Sequence, residues 1–425
     1  MSEVCVHGLG YIGLPTAAVL ANYDHDVAGF DVDDTVRNQL NNGDVHLEEA
    51  GLRAFVTQAL ESGRLEIVDQ IVAAQYHIVC VPTPFDGETN TADLSYVRSA
   101  GETISRVLRE GDTVILESTV PPGTTEDVLR PILEESGLIA GEDFGLAFCP
   151  ETVLPGNIIS ELQENNRIVG GVNGVSRGAA VRLYETFVNG EIRTTAAPTT
   201  AELVKLIQNT YRDTNIALAN EFAKLAHDYG VDSREAIDLA NEHPRVDVLE
   251  PGPGVGGHCL PVDPWFLEAR SDEVELISTA RRVNDGMTEF IVRLLEEELD
   301  DLSERHIAIL GIAYKGNVED TRMSPGIRLA QELMYDFDEF EHEHDSKGPD
   351  VSIHDPHVDE SVFSTVDLES ALSGADAAVV TTDHDEFVEL SPDTLSRHMK
   401  NPFVLDTKGI LDDEWKETSA EILTL

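Results

Sequence analysis

Short apolar runs alternate with helical stretches through the first third of the chain. Residues 4–7 read as a buried strand, 14–21 as a helix and 27–32 as a second strand that ends in acid. Further buried strands are predicted at 77–81, 113–117 and 145–148, and residues 100–108 carry a helical period. Strands alternating with helices predict a parallel sheet wrapped on both faces. The pattern changes at Thr199. Leu203, Leu206, Ile207, Tyr211, Ile216, Leu218, Phe222 and Leu225 recur at helical spacing as far as Asp228, with no Gly or Pro between. A helix of roughly 30 residues would run about 45 Å, which suits a spine between domains or a dimer seam.

Helical signals resume at 234–241 and 275–299, around a Pro/Gly-rich loop at 251–264. Alternation then returns, with strands predicted at 307–312, 351–354, 377–381 and 403–406 and an exposed acidic loop at 336–350. The expected fold class is α/β. Two Rossmann-like parallel-sheet domains, 1–196 and 300–425, are joined by a helical middle domain, 197–299, with a long central helix.

Composition narrows the setting. At 41% hydrophobic and 26% charged the chain is globular rather than disordered. Its 80 acidic side chains stand against 29 Lys and Arg, a formal net charge of −51. A field of that sign disfavours nucleic acid and anionic membrane surfaces. The acid is spread along the chain, as expected of a surface solvated in high salt, so a halophilic source is expected. Lysines are scarce, the first being Lys205, so each one is informative. Cys5, Cys80, Cys149 and Cys259 lie far apart without metal spacing, which argues against a disulfide framework or a metal site. With no signal-peptide pattern and no apolar run of about 20 residues, a cytoplasmic location is expected.

Candidate chemistry starts at residue 8. Gly8-Leu9-Gly10-Tyr11-Ile12-Gly13 follows a strand and opens a helix, where glycines let the backbone approach a pyrophosphate. Asp31 ends the next strand about 20 residues on, where a carboxylate would hold a ribose 2′-hydroxyl and favour NAD. Arg37, able to reach a phosphate, tempers that preference. Thr83 in Val81-Pro82-Thr83-Pro84 and Thr119 in the 117–123 loop follow further strands, at the rim where ligands bind; the plainer reading is two Pro-punctuated turns. Cys149-Pro150-Glu151 offers a carboxylate at the same rim.

The most distinctive stretch is Pro251 to Pro264, in which four glycines within six residues deliver Cys259 to an accessible position beside Asp263. A thiolate is the strongest nucleophile available near neutral pH. On the long helix Lys205, Asn209 and Arg212 share one face, suited to alkoxide and phosphate charge or, more plainly, to ion pairs. Tyr314, Lys315, Arg322 and Lys408 follow strands of the second alternating domain, where cations would hold an anionic ligand.

With these residues laid out, the chain resembles the UDP-glucose/GDP-mannose dehydrogenase family over essentially its whole length. The landmarks are the glycine turn, 117–123, 149–156, 205–212, the Cys259 loop and 311–322. Within the family it is most similar to UDP-N-acetyl-D-mannosamine dehydrogenases, through 153–157, 166–171, 243–246 and 251–266. The resemblance implies a four-electron, NAD-dependent oxidation of a UDP-sugar C6 hydroxyl to the carboxylate, through a Cys259 thioester. It implies that Lys205 is the acid/base, that Asn209 stabilises oxyanions, and that Asp263 and Glu151 position Lys205 or water. Gly8, Gly10, Tyr11, Ile12, Gly13, Asp31, Arg37, Thr83, Thr119 and Arg322 would serve NAD. His243, Arg245, Gly257, Tyr314, Lys315 and Lys408 would hold the UDP-sugar, with Arg212 on its phosphates. A homodimer or dimer of dimers is implied, since some contacts in this family come from the partner. One departure bears on the sugar: Thr152 stands where relatives with the mannosamine signature commonly carry arginine. UDP-glucose or UDP-GlcNAc as substrate, and a non-catalytic nucleotide-sugar binder, are the alternatives.

Overall fold

The computed structural model describes residues 2–425 apart from 48, 50, 88–90, 154–155, 269–270, 272, 335–347, 360 and 412–420. Two compact units result. One comprises Met1–Gln208 with Trp265–Asp272, the other Asn209–Pro264 with Glu273–Leu425. The central stretch expected at 197–299 is shared between them, and the boundary falls inside the long helix Pro198–Tyr229.

The first unit is built on an eight-stranded sheet. Its strands are β1 (Glu3–His7), β2 (Asp26–Phe30), β3 (Leu65–Ile67), β4 (Tyr76–Val79), β7 (Thr113–Leu116), β8 (Gly145–Phe148), β9 (Arg167–Gly171) and β10 (Ile192–Thr195), with a small hairpin, β5 (Phe85–Asp86) and β6 (Thr91–Ala92), outside it. The order is β10-β9-β8-β7-β4-β1-β2-β3, parallel except where β9 meets β8. From β3 to β8 this is the doubly wound order, in which chain direction along the sheet reverses between β1 and β4 and opens a crevice beyond the strand ends. Alternate side chains fill the two faces. Val4, Val6 and Ile78 pack with Leu14 and Leu20 on one side, and Val79, Leu116 and Phe148 with Val97 and Ile104 on the other. Each fully buried side chain of this size contributes about 1.5–3 kcal/mol.

The second unit holds a five-stranded, all-parallel sheet of β11 (His306–Leu310), β12 (Asp350–His354), β13 (Ala377–Val380), β14 (Phe403–Asp406) and β15 (Glu421–Thr424), in the order β12-β11-β13-β14-β15. Most of the long helix, Ser233–Asn241, Glu275–Asp285 and Met287–Leu299 belong to the same unit.

Several elements depart from the sequence pattern for identifiable reasons. The helix predicted at 275–299 is two helices, because Gly286 sits at φ −84°, ψ 9° between them and closes the first with its N–H on the Arg282 carbonyl. The helix predicted at 100–108 spans Ser95–Ser105, started by Asp93 accepting the Ser95 N–H. Strands β3, β9, β10 and β15 escaped the apolar pattern because each is short and carries a charged residue, Glu66 and Arg193 within the run and Arg167 and Glu421 at its first position. The acidic stretch 336–350 lies outside the described residues as far as 347, and Asp350 already opens β12. Among the described residues no helix is long and apolar enough to cross a membrane.

Candidate active site

The glycine turn closes tightly over the end of β1. Gly8 has φ +90°, and a Cβ there would lie 2.5 Å from the Cys80 carbonyl oxygen. A Cβ on Gly13, where the first helix begins, would lie 1.8 Å from the Gly8 carbonyl oxygen. Gly10 is different: nothing lies within 4 Å of a Cβ built on it. The turn is therefore closed on its protein side and open at Gly10, the shape a pyrophosphate on a helix N-terminus requires. Asp31 follows β2 and accepts the Leu9 N–H at 2.7 Å and the Asp33 N–H at 2.9 Å, which fixes its carboxylate beside the turn. Arg37 donates to the Asp31 carbonyl and pairs with Asp34. The Tyr11 hydroxyl meets Glu49, whose carboxylate also accepts the Gly156 N–H. These residues fit NAD, which supplies a hydride acceptor when bound.

Two predicted rim loops are brought together in the same unit. The Thr83 hydroxyl donates to the Thr119 carbonyl at 2.7 Å, and Ser118 to the Val81 carbonyl at 2.7 Å. Their anchor is a residue that sequence reasoning missed. Glu202, fully buried on the long helix, accepts the Gly123 N–H at 2.5 Å, the Thr125 N–H at 2.8 Å and the Thr125 hydroxyl at 2.6 Å. Burial pushes its carboxyl up. It lies one turn from Lys205, so the loop carrying Thr119 is tied to the helix carrying the candidate base. A carboxylate among apolar helix positions was the available signal.

Glu151 is more committed than its rim position implied. One oxygen accepts the Thr152 and Val153 N–H groups, and the other pairs with the buried Arg167 at 2.8 Å. That geometry holds the 151–153 turn and leaves little of the carboxylate for a proton transfer. Nearby, Tyr184 and Cys80 both donate to Glu117, whose carboxyl burial pushes up.

In the second unit the Cys259 loop is pinned at several points. Cys259 is exposed, whereas Cys5 and Cys149 are buried and Cys80 is half-buried. The Cys259 carbonyl accepts the Asp263 N–H at 2.8 Å, and the buried Asp263 carboxylate accepts from Asn209 at 2.5 Å. Asp263 is therefore joined both to Asn209 of the long helix and to the Cys259 backbone. Gly257, at φ +87°, donates its N–H to the Arg322 carbonyl at 2.8 Å, and a Cβ on it would press to 3.0 Å from the Tyr314 ring. The Arg322 guanidinium grips Asp320 and lies within electrostatic reach of Tyr314 and Cys259. A cation there favours the thiolate. Arg322, assigned by sequence to NAD, is thus held to the thiol loop within its own unit.

Gly311 and Asp355 repeat the logic of Gly8 and Asp31. Gly311 follows β11 at φ +100°, and Asp355 follows β12 and accepts the Ile312 and Ala313 N–H groups at 2.6 and 2.9 Å. Burial pushes its carboxyl up, but His384 and the backbone donors outweigh it and hold it at about 2. Tyr314 and Lys315 leave this turn, and Lys408, after β14, pairs with Asp383 at 3.4 Å. Lys315, Arg212, His243 and Arg245 are all exposed.

Among the described residues two histidine groups converge at ligand-like distances, Cys5 with His7 and His77, and His357 with His384 and Glu386. His384 has no lone pair to give, since Nδ1 accepts the Asn317 N–H and Nε2 faces Asp355. His7 and His77 hydrogen-bond each other at 3.1 Å and leave their outer nitrogens without partners, lacking the outer acceptors of metal-bound rings. Burial, with the neighbouring ring, holds His7 well below its usual value, and burial brings His77 to about 4. A ring kept neutral by folding binds fewer protons than in the unfolded chain. Stability is therefore full above the ordinary value of 6.5 and falls as pH drops from there toward 4, by on the order of 3 kcal/mol at His77. Melting of His77→Val against pH should show a flatter acid limb; an unaltered limb would count against this origin.

Comparison with known proteins agrees with this geometry. The NAD binding, central and UDP binding domains of the UDP-glucose/GDP-mannose dehydrogenase family match residues 2–188, 199–286 and 308–413. A UDP-N-acetyl-D-mannosamine dehydrogenase of Methanococcus maripaludis is 42% identical, covering 100% of this chain and 97% of the relative. A solved UDP-D-ManNAc dehydrogenase from Pyrococcus horikoshii superposes with a TM-score of 0.88 at 42% identity, over 97% of this chain and 96% of that one. The UDP-N-acetyl-mannosamine dehydrogenase Cap5O from Staphylococcus aureus does so with 0.86 at 38%, over 100% and 98%. The chain is an NAD-dependent oxidoreductase and belongs to the UDP-glucose/GDP-mannose dehydrogenase family.

Proposed function

We propose that this enzyme oxidises the C6 hydroxyl of UDP-N-acetyl-D-mannosamine to the carboxylate, through a thioester on Cys259. The observation that carries the chemistry is the exposed Cys259 in a loop whose Asp263 is clamped to Asn209 at 2.5 Å. Lys205 takes the C6 hydroxyl proton as the first hydride leaves, giving an aldehyde. The Cys259 thiolate adds to the aldehyde carbon, and the oxygen gains a proton, giving a thiohemiacetal. Loss of that proton and a second hydride leaves the thioester. Water then adds, the C–S bond breaks, and the thiol returns. One alcohol, two NAD and one water become one carboxylate, two NADH and three protons. The Asn209 amide and N–H groups of the 251–262 loop would stabilise the developing oxyanions.

The sugar assignment is supported by the relatives' names and their full-length similarity. UDP-glucose and UDP-GlcNAc differ at C2, and Thr152 is the departure bearing on that choice. The same reading makes the enzyme a homodimer. On the long helix Ile207, Tyr211, Leu218, Phe222, Leu225 and Tyr229 recur at helical spacing and remain exposed, an apolar stripe suited to a second copy. The exposed His243 and Arg245 suit delivery to a partner's site. A reducing cytoplasm suits an exposed thiol that must stay reduced. Turnover with a panel of UDP-sugars in high salt, counting NADH per sugar, tests the proposal. Two NADH per UDP-N-acetyl-D-mannosamine and a uronic acid product are expected. One NADH overturns the thioester, and preference for another UDP-sugar overturns the substrate.

A further inference from the structure

The loop from Pro251 to Val262 contains no regular helix or strand, yet it has to present Cys259 to a carbon atom. Its entry is fixed by a buried contact, the Gly252 N–H donating to Asn220 Oδ1 at 2.8 Å. Asn220 is wholly buried on the long helix, and its Nδ2 donates to Asn284 Oδ1 at 2.9 Å. Asn284 Nδ2 in turn donates to the Asp213 carbonyl at 3.0 Å and to Asp213 Oδ1 at 2.9 Å. Asp213 is buried and paired with the equally buried Arg281 at 2.5 Å. Gly254 presses on the same Asn284, since a Cβ there would lie 2.9 Å from its carbonyl oxygen.

This chain of contacts has a forced direction. An ionised Asp213 only accepts hydrogen bonds, so Asn284 must turn its NH₂ toward it. Asn284 then has only its oxygen for Asn220, which must turn its own NH₂ inward and its oxygen toward Gly252. A flipped Asn220 would set NH₂ against N–H, two donors with no acceptor, in a place water does not reach. We propose that Asn220 is a positioning residue for Cys259, its orientation dictated by Asp213 through Asn284. The proposal rests on the thioester reading above, in which the thiol is needed only after the aldehyde has formed.

That timing gives a readout that a merely structural role would not move. In full-length Asn220→Leu, with NAD and the best-used UDP-sugar, the first oxidation should stay within about threefold of wild type while the second falls at least about tenfold. NADH per sugar should drop from two toward one, with the aldehyde captured by semicarbazide. Asn220→Asp, when protonated, can both donate to Asn284 and accept from Gly252, so its second oxidation should recover as pH is lowered. Loss of both oxidations in proportion, or two NADH per sugar in Asn220→Leu, overturns the proposal. Iodoacetamide alkylation of Cys259 without substrate separates the two readings. If wild type releases only one NADH the thioester fails. An alkylation rate in Asn220→Leu shifted at least about threefold would still support the loop anchor, and an unshifted rate would overturn it.

Discussion

Cys259→Ala should lower steady-state NADH production at least about 10³-fold, the scale of losing a covalent nucleophile. The thiol is exposed at the head of its loop, while the contacts that shape the loop come from backbone groups and from Asn209, Asp263 and Asn220. Removing the exposed sulfur leaves those backbone and amide contacts in place, and stability should stay within about 0.5 kcal/mol. Lys205 and the glycine turn are untouched, so aldehyde formation remains available. The variant should release a single NADH per site in one rapid phase and then stall. Stopped-flow absorbance of NADH, with product analysis, distinguishes the phases. Full turnover at two NADH per sugar would remove Cys259 from the reaction.

Arg281→Met should be the most damaging change to the fold. Arg281 and Asp213 are each 1% exposed at the side chain and meet at 2.5 Å, with Asn284 as the carboxylate's other partner. Burial already pushes the Asp213 carboxyl up, opposed chiefly by Arg281. Without the guanidinium the carboxylate is left buried with one amide, or it takes up a proton. Breaking a buried pair from one side costs about 3–5 kcal/mol, which lowers melting of a unit this size by on the order of 10 °C. Salt does not reach a buried pair, so high salt should not restore it. Replacing both partners, Asp213→Leu with Arg281→Met, should recover much of the loss. A decrease under about 1 kcal/mol in Arg281→Met would show that the pair is not a stabilising contact.

Much of this enzyme was readable before its structure. Buried strands announce themselves as unbroken apolar runs, and Gly8, Gly10 and Gly13 between a strand and a helix point to a dinucleotide because few other needs call for that spacing. Cys259 was legible for the same reason: four glycines and their prolines expose a thiol instead of burying it. Strands such as β9 were not legible, because the run is short and opens on Arg167, a charge that is itself buried against Glu151. The break at Gly286 was hidden inside a continuous helical period.

The sequence by itself determined the alternating α/β architecture and the NAD turn, and it singled out Lys205, Asn209, Cys259 and Asp263 as the candidate chemistry. These depend on local periodicity and on residue chemistry, both of which are written along the chain. Only the tertiary structure decided who anchors them. Glu202 holding the 123–125 backbone, Glu151 committed to Arg167, and Asn220 oriented by Asp213 through Asn284 are partnerships between residues 16 to 79 positions apart. A polar residue in a sequence carries no mark of the partner that burial will force on it. The penalty for leaving it unpaired arises only once the surrounding water is gone.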